Sequence, residues 1–380
     1  MDEQREKIDI HRGLKGVHFD RSKVCYIDGR AGELRYRGYS IHDLAEHSSF
    51  EETACLLLEG ELPDAARLAA FEGELKAARS LPAPLLEVIR SVKHAHPMDV
   101  LRTAVSALAA FDPDTPDNSP AATLRKGMRL TSQLPMIVAA HEQIRNGRTP
   151  LAPDASLGHA ANFLWMLQGR RPSADAAKLM DTDMILHAEH GSNASTFTAR
   201  VVAGTEANLH AAVCAAIAAL SGPAHGGAAE NVMKMAQAVG DPALAAAYVK
   251  AKRAAKEPVM GFGHRVYRAE DPRARHMRAG VERLSREMGQ PQWYRILEAL
   301  VEAMKPYARH GVNVNVDFYA GVVYYLNAIP SDLFVPIFAI GRMPGWVVSV
   351  LEQFENNILI RPLTLYNGPA PRAYVPLAQR

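Results

Sequence analysis

Apolar residues recur at helical spacing along most of the chain. Ala, Leu and Met dominate these stretches, and runs of alternating β-branched residues are few. The sequence Ser-Phe-Glu-Glu at 49–52 is a capping box that opens a helix, and Gly60 is well placed to end it. A second helix is predicted at 209–220, the most apolar stretch of the chain. The pattern therefore predicts a nearly all-α fold.

One segment near the N-terminus departs from helical spacing. Residues 24–26 and 34–36 favour strands and flank the turn-rich sequence Asp-Gly-Arg-Ala-Gly at 28–32. This arrangement predicts a small β-hairpin. Loops rich in Pro, Asp and Ser are expected between helices at 112–120 and 148–156.

Composition narrows the class of protein. A chain of 380 residues can bury a large core, and its 43 basic and 41 acidic residues indicate neither a nucleic-acid partner nor a membrane surface. The stretch 209–220 is shorter than the roughly 20 residues of a membrane span, so none is expected. The N-terminus lacks the apolar core of a signal peptide, and the three cysteines are scattered singly. We therefore expect a cytoplasmic protein with reduced thiols.

Two histidines, His187 and His190, end a helical pattern that begins near Ala174. Their spacing of three residues predicts that both lie on one helix face. Three interpretations compete: a metal site, core or capping histidines, and recognition of an anionic substrate. A metal site would need a third ligand and more usually shows HExxH spacing, so we expect no metal.

Three glycine-rich turns each carry a basic side chain. His225 lies in Gly-Pro-Ala-His-Gly-Gly, His264 follows Gly-Phe-Gly, and Arg342 lies in Gly-Arg-Met-Pro-Gly. Glycine allows the backbone to approach a ligand closely. Backbone N–H groups after His225 would favour a neutral imidazole, which can donate to an enolate oxygen. Taken alone, a surface turn is the commoner interpretation.

The segment 261–266 is not a dinucleotide loop, because Val266 occupies the last glycine position of GxGxxG and no strand pattern precedes it. Downstream, Arg268 and Arg273 are planar donors suited to phosphate or carboxylate, unless they lie on a solvated helix face. Asp271 and the proline after it are expected to begin the helix that carries Arg273.

A single carboxylate, Asp317, lies in the apolar and aromatic segment 314–319. Desolvation would raise its pKa and make it a better base toward a weak carbon acid, whereas the alternative is a helix cap. Arg342 and Arg361 also have apolar neighbours in sequence. A buried Arg needs an anionic partner, either an internal carboxylate or a ligand.

The order of these motifs resembles that of the citrate synthase family. The resemblance covers HAEHGSNAST (187–196), SGPAHGG (221–227), GFGHRVYRAEDPRA (261–274), NVDFYAG (315–321) and NNILIRP (356–362), and it continues through almost the whole chain. It implies an all-α fold and a homodimer. It also implies a large domain, 1–225 and 329–380, and a small domain, 226–328, that closes over the active site.

The resemblance also implies a mechanism and its residues. Asp317 would take a methyl proton from acetyl-CoA, His225 would hydrogen-bond the thioester oxygen, and His264 would protonate the oxaloacetate carbonyl. Hydrolysis of citryl-CoA would then complete this acyltransferase reaction without a cofactor. The oxaloacetate ligands would be His190, Arg273, Arg342 and, from the neighbouring subunit, Arg361. CoA would contact Val259, Met260, Gly261, Phe262, Gly263, Asn315 and, near a phosphate, Arg268.

Four small or polar residues depart from the usual family pattern, namely Ala224, Ala229, Ala320 and Ser349. They lie close in sequence to the acyl-CoA positions, so 2-methylcitrate synthase, which uses propionyl-CoA, is the nearest alternative. We expect acetyl-CoA to be preferred. A metal-dependent enzyme and a non-catalytic scaffold are the alternatives from other classes. Only twelve residues precede Gly13, so we expect a dimer without nicotinamide-nucleotide control.

Overall fold

The computed structural model describes residues 8–380, so the first seven residues of the predicted large domain lie outside the described range. The described residues form sixteen α-helices and one three-stranded antiparallel sheet, which confirms the predicted fold class. The helices are α1 (Ile41–His47), α2 (Phe50–Glu59), α3 (Ala65–Ala77), α4 (Ala83–Ser91), α5 (Pro97–Leu108), α6 (Pro120–Arg145), α7 (His159–Gln168), α8 (Ala174–His187), α9 (Ala194–Ala203), α10 (Leu209–Leu220), α11 (Ala228–Val239), α12 (Ala245–Ala254), α13 (Ala274–Glu287), α14 (Gln292–Ala308), α15 (Asp317–Leu326) and α16 (Phe334–Glu355).

The predicted hairpin is present. Strands β1 (Cys25–Asp28) and β2 (Glu33–Tyr36) pair antiparallel, and the short strand β3 (Tyr39–Ser40), which the sequence did not predict, continues the sheet. In the turn, Asp28 Oδ1 accepts from the N–H groups of Arg30 at 2.8 Å and Ala31 at 2.9 Å. Asp thereby stabilises the turn that its sequence pattern predicted.

The predicted ends of α2 and the two predicted loops are found in the structure. Ser49 Oγ accepts from the Glu52 N–H at 3.1 Å and caps α2, which ends at Gly60 in the left-handed region, φ 99°. The expected loop at 112–120 is free of helix up to Pro120, the first residue of α6. The segment 148–156 contains neither helix nor strand.

The predicted shared helix face of His187 and His190 is wrong. Helix α8 ends at His187, and His190 lies three residues beyond it. The Tyr36 hydroxyl donates to the Glu189 carbonyl at 2.8 Å, and Tyr36 is fully buried. A contact with the sheet, distant in sequence, therefore sets the path of the chain after α8.

The predicted start of α13 is also wrong. The helix begins at Ala274 with Arg273 as its N-cap, and no side chain caps it. Asp271 instead accepts from the backbone N–H of Arg273 at 3.1 Å and pairs with the Arg273 guanidinium. The ion pair thus replaces the expected capping role of Asp271.

Helix α16 lies at the centre of the fold, where it packs against α6, α8, α9 and α10. The expectation of no membrane span rested on the stretch 209–220, but the 25-residue segment Ser331–Glu355 is longer and is long and apolar enough to span a membrane. Its apolar window is completely buried within the protein. Among the described residues this is the one such helix, and it is a core helix here.

The helices between 228 and 326 pack largely on one another, with α11 on α15, α12 on α14, and α13 on both α14 and α15. They contact the remaining helices mainly through α8 and α16. They coincide with the predicted small domain. Its boundaries and its closure stay predictions.

Two of the four unusual residues lie where α11 and α15 come close together. A Cβ built on Gly321 of α15 would lie 2.3 Å from the Ala229 carbonyl oxygen of α11. Ala229 and Ala320 are both buried. Close backbone packing, rather than an open acyl pocket, therefore accounts for small residues at this crossing.

We predict that Gly321→Ala destabilises the fold by about 1–3 kcal/mol, because the added methyl group meets backbone that cannot rotate away. Gly73→Ala is the matched control, since a Cβ there meets nothing within 4 Å in α3. The control should be neutral or gain up to about 1 kcal/mol in helix propensity. Urea denaturation measures both, and equal midpoints for the two variants would contradict the prediction.

Candidate active site

Two chain segments distant in sequence meet to form the floor of the site. Phe262 and Val314 form an antiparallel bridge, the Gly263 N–H donates to the Asn313 carbonyl at 2.7 Å, and the Asn315 N–H donates to the Gly261 carbonyl at 2.9 Å. These bonds bring the residues just before His264 against those just before Asp317. Two of the three predicted catalytic residues therefore lie on adjoining backbone.

The hydrogen bonds of His264 fix its tautomer. Its Nδ1 accepts from the backbone N–H groups of Val266 at 3.0 Å and Tyr267 at 3.2 Å. A backbone N–H can only donate, so Nδ1 carries no proton and the neutral ring holds its proton on Nε2. Burial, with the Arg273 charge, lowers the His264 pKa to about 4. His264 is therefore a neutral Nε2–H donor.

His190 lies beside His264, with ring centroids 5.2 Å apart. Its Nε2 is 3.1 Å from the Tyr267 hydroxyl, and the His190 side chain is buried. Burial and then Arg273 lower the His190 pKa well below its ordinary value. The structure thus joins two predicted residues that sequence spacing had placed 74 positions apart.

Arg273 is held by Asp271 in a buried, two-pronged ion pair with distances of 2.9 and 2.7 Å. Asp271 Oδ2 also accepts from the Val316 N–H at 3.3 Å, next to Asp317. Burial opposes ionisation of Asp271, but Arg273 outweighs it and lowers the Asp271 pKa below its ordinary value. Asp271 therefore organises the site, a role that the sequence did not predict.

Arg342 of α16 is buried, and its Nε donates to the His187 carbonyl. Its guanidinium lies over the Phe338 ring at 4.8 Å. Burial lowers the Arg342 pKa below its ordinary value, and the charge of the buried Glu189 opposes that fall, although the two side chains form no ion pair among the described residues. The Arg342 donors not used by His187 are thus available for an anionic ligand.

His225 lies in the turn between α10 and α11. The backbone N–H of Ser195 donates to its Nε2 at 3.2 Å, and the Ser195 hydroxyl is 2.9 Å away. Nε2 is therefore the acceptor, and Nδ1 holds the proton of the neutral ring. The Trp346 indole N–H donates to the same hydroxyl at 3.1 Å. Burial, with the Arg342 charge, lowers the His225 pKa to about 4.

Sequence reasoning missed Ser195. It belongs to the quoted motif HAEHGSNAST, but a serine in the first turn of a helix looks like part of the cap. Asn193 performs the capping of α9, accepting from the Thr196 N–H at 3.1 Å. The Ser195 hydroxyl donates to Asn193 Oδ1 at 2.8 Å and also contacts His225, a contact that no local pattern indicates.

Asp317 is the first residue of α15 and is partly exposed, but it does not cap the helix, because the N-cap is Val316 and no side chain caps it. Burial raises the Asp317 pKa above its ordinary value, and the charges of His187 and Arg273 oppose that rise. A carboxylate with a raised pKa is a stronger base when ionised.

His187 is tied to the core. Its Nδ1 lies 2.8 Å from the Asp183 carbonyl and 3.2 Å from the Asp183 carboxylate, which also accepts from the Tyr324 hydroxyl at 2.6 Å. Across the described range no group of three or more His, Cys, Asp or Glu side chains could hold a metal ion. The residues around His187 therefore fit a packing role.

Two of the predicted substrate-binding residues are exposed rather than buried with the others. Arg361 is exposed in the segment after α16, whereas Arg273 and Arg342 are buried. Arg268 is exposed, and its guanidinium donates to the His264 carbonyl at 3.1 Å and the Tyr267 carbonyl at 3.0 Å. The remaining predicted CoA positions, Val259, Met260, Gly261, Phe262, Gly263 and Asn315, line the floor and its approach, and their role stays a prediction.

Comparison with known proteins identifies the family. The family model described as "Citrate synthase, C-terminal domain" matches residues 13–363. The chain belongs to the citrate synthase family. The family is one of enzymes that carry out transferase-type condensations, which confirms the resemblance seen in the motifs.

Individual relatives carry two names within this family. The citrate synthase of Deinococcus radiodurans is 42% identical over 374 residues, covering 98% of this chain and 99% of that protein. The 2-methylcitrate synthase of Mycobacterium tuberculosis is 43% identical over 368 residues, covering 97% and 93%. Overall identity therefore does not choose the acyl group.

A solved relative carries ligands. Citrate synthase from Thermoplasma acidophilum, in a ternary complex with carboxymethyl coenzyme A and oxaloacetate, gives a TM-score of 0.91 at 30% identity, covering 98% of this chain and 100% of that one. The described fold is thus the family fold over nearly its full length.

We predict that His225 and His264 stay neutral well below pH 6.5, the ordinary pKa of histidine. Since burial lowers each pKa to about 4, each ring gains its proton only as the pH falls through about 4. In an NMR titration their ring signals should not move between pH 8 and roughly 5.5. His→Gln variants assign the signals, and a midpoint near 6.5 for either ring would contradict the prediction.

Proposed function

We propose that this chain is a citrate synthase, an acyltransferase that condenses acetyl-CoA with oxaloacetate and hydrolyses citryl-CoA to citrate and CoA. One observation carries the proposal: the loop of His264, a neutral Nε2–H donor, is hydrogen-bonded to the segment that leads into Asp317, and Asp271 ties the buried Arg273 to the same segment. A base, an acid and a dicarboxylate site are the parts that this condensation needs.

Oxaloacetate is held by the buried cations in this mechanism. Its two carboxylates are held by Arg273 and Arg342, whose burial strengthens their attraction for an anion. His190 contributes a neutral donor beside them. His264 Nε2–H then donates to the ketone oxygen, which makes the carbonyl carbon more electrophilic and supplies a proton as the alkoxide forms.

The second substrate is activated by the other pair of residues. Asp317 removes a proton from the methyl group of acetyl-CoA, and His225 donates from Nδ1 to the thioester oxygen as the enolate develops. The enolate carbon attacks the oxaloacetate carbonyl to give citryl-CoA. Water then cleaves the thioester, releasing citrate and the CoA thiol.

The acyl group is the finer question. One methylene in an apolar pocket discriminates by only about 1–3 kcal/mol, so a few side chains decide between acetyl and propionyl groups. Ala229 and Ala320 are buried near the α11–α15 crossing, where the backbones pack closely. Their small size therefore does not by itself indicate an enlarged acyl pocket. This supports acetyl-CoA as the preferred substrate.

We predict that the enzyme releases thiol from acetyl-CoA plus oxaloacetate with a higher kcat/KM than from propionyl-CoA. Asp317→Asn should lower kcat by about 10²–10⁴-fold, because it removes the base and keeps the shape. EDTA should leave the rate unchanged, since the mechanism uses no metal. A higher kcat/KM for propionyl-CoA would instead indicate 2-methylcitrate synthase, and an active Asp317→Asn enzyme would contradict the mechanism.

We further propose a homodimer in which Arg361 completes the site of the neighbouring subunit. The segment after α16 is extended and presents apolar side chains to solvent, among them Ile358 at 72%, Leu363 at 86% and Tyr374 at 81% exposure. Such a surface indicates a protein partner. A second copy accounts for it and for the exposure of Arg361.

We predict that coexpressing Asp317→Asn with Arg361→Ala chains restores activity. In a mixed dimer one site keeps both Asp317 and Arg361, so after random pairing about a quarter of wild-type activity should return. Asp317→Asn with Arg273→Ala is the matched control, because those two residues belong to the same chain and no intact site forms. Equal, negligible activity in both pairings would show that Arg361 does not act across an interface.

A further inference from the structure

The turn between β1 and β2 presses against the loop that carries His264. A Cβ built on Gly29 would lie 2.3 Å from the Val266 carbonyl oxygen and 2.9 Å from its carbon. The Arg268 N–H donates to the Gly29 carbonyl at 2.7 Å. A Cβ on Gly32 would meet the Glu270 carbonyl oxygen at 3.1 Å. The two backbones are therefore in close contact at both glycines of the turn.

The turn side of this contact is rigid. Asp28 Oδ1 holds two N–H groups of the turn, and the Gly32 N–H donates to the Asp28 carbonyl at 2.9 Å. The strands on either side are paired, and Tyr36 at the end of β2 is fully buried. Added volume at Gly29 is therefore not absorbed by the turn.

In the loop that carries His264, the residue least held by hydrogen bonds is Val266. The ends of the loop are fixed, because the Gly263 N–H donates to the Asn313 carbonyl and the Asp271 N–H to the Val314 carbonyl at 3.2 Å. Val266 lies between these anchors with 44% of its side chain exposed. Its one backbone hydrogen bond in the described part of the chain is the bond from its N–H to His264 Nδ1.

We propose that Gly29 is a positioning residue for His264, acting through Val266. Contact with Gly29 sets the position of Val266, whose N–H occupies His264 Nδ1 together with the Tyr267 N–H and so helps to keep the proton of the ring on Nε2. The inference rests on the proposed function only for the identity of the group that receives this proton. The N-terminal hairpin thus belongs to the catalytic machinery.

Glycine at this position is not explained by the turn itself. The φ angle of Gly29 lies outside the left-handed region, unlike that of Gly32 at 70°. An alanine could therefore adopt the Gly29 backbone conformation. The space requirement comes from Val266, so a substitution tests the contact rather than the turn geometry.

The test compares Gly29→Ala with Gly73→Ala, a glycine replacement that meets nothing within 4 Å. We expect Gly29→Ala to lower kcat at least about tenfold while the control stays near wild type, because misplacement of about 1 Å can cost about 10²-fold. Nitrogen NMR should show His264 as the Nε2–H tautomer in the wild type. In Gly29→Ala the fraction of that tautomer should fall, because only the Tyr267 N–H still holds Nδ1, and the His264 pKa should rise from about 4 toward the ordinary 6.5.

A second variant covers failure of the first to fold. Asp28→Ala removes the side-chain bonds of the turn and adds no atom to the contact, so it should shift the His264 pKa in the same direction by less. If folded variants keep the wild-type tautomer, pKa and kcat, the inference is overturned. The NMR readout needs no substrate, so absence of thiol release by the wild type would refute the proposed function and leave this test intact.

Discussion

The buried pair of Asp271 and Arg273 is the interaction on which the site depends. Asp271 binds the guanidinium through both oxygens and also accepts from the backbone beside Asp317. One carboxylate therefore fixes a buried cation and the start of the helix that carries Asp317. A buried charge without its partner is strongly destabilising, so the two residues stabilise each other's position.

Backbone N–H groups set the proton position on the two imidazoles of the proposed mechanism. At His264 they come from the two residues after Arg265, and at His225 from Ser195, on another helix. In each ring one nitrogen is occupied by these donors, so the proton is held on the other. Burial keeps both rings neutral. Neutral donors with a fixed proton position need little reorganisation when an oxyanion forms.

The central helix α16 also carries several side chains of the candidate site. This helix supplies Arg342, the Phe338 ring beneath it, and Trp346, which donates to Ser195 next to His225. Its neighbours α8 and α9 flank the same region. A long apolar helix in the core thus holds polar groups in place because rigid packing surrounds them.

Local sequence determined the all-α class, the hairpin, the cap at Ser49 and the place of Asp317 at a helix start, because periodicity, capping and turn chemistry act over a few residues. Family resemblance added the candidate residues. Tertiary structure decided what local patterns cannot encode: the path that takes His190 off α8, the pairing of Asp271 with Arg273, the contact of Ser195 with His225, and the exposure of Arg361. Each depends on groups far apart in sequence, whose meeting is set by packing of the whole chain.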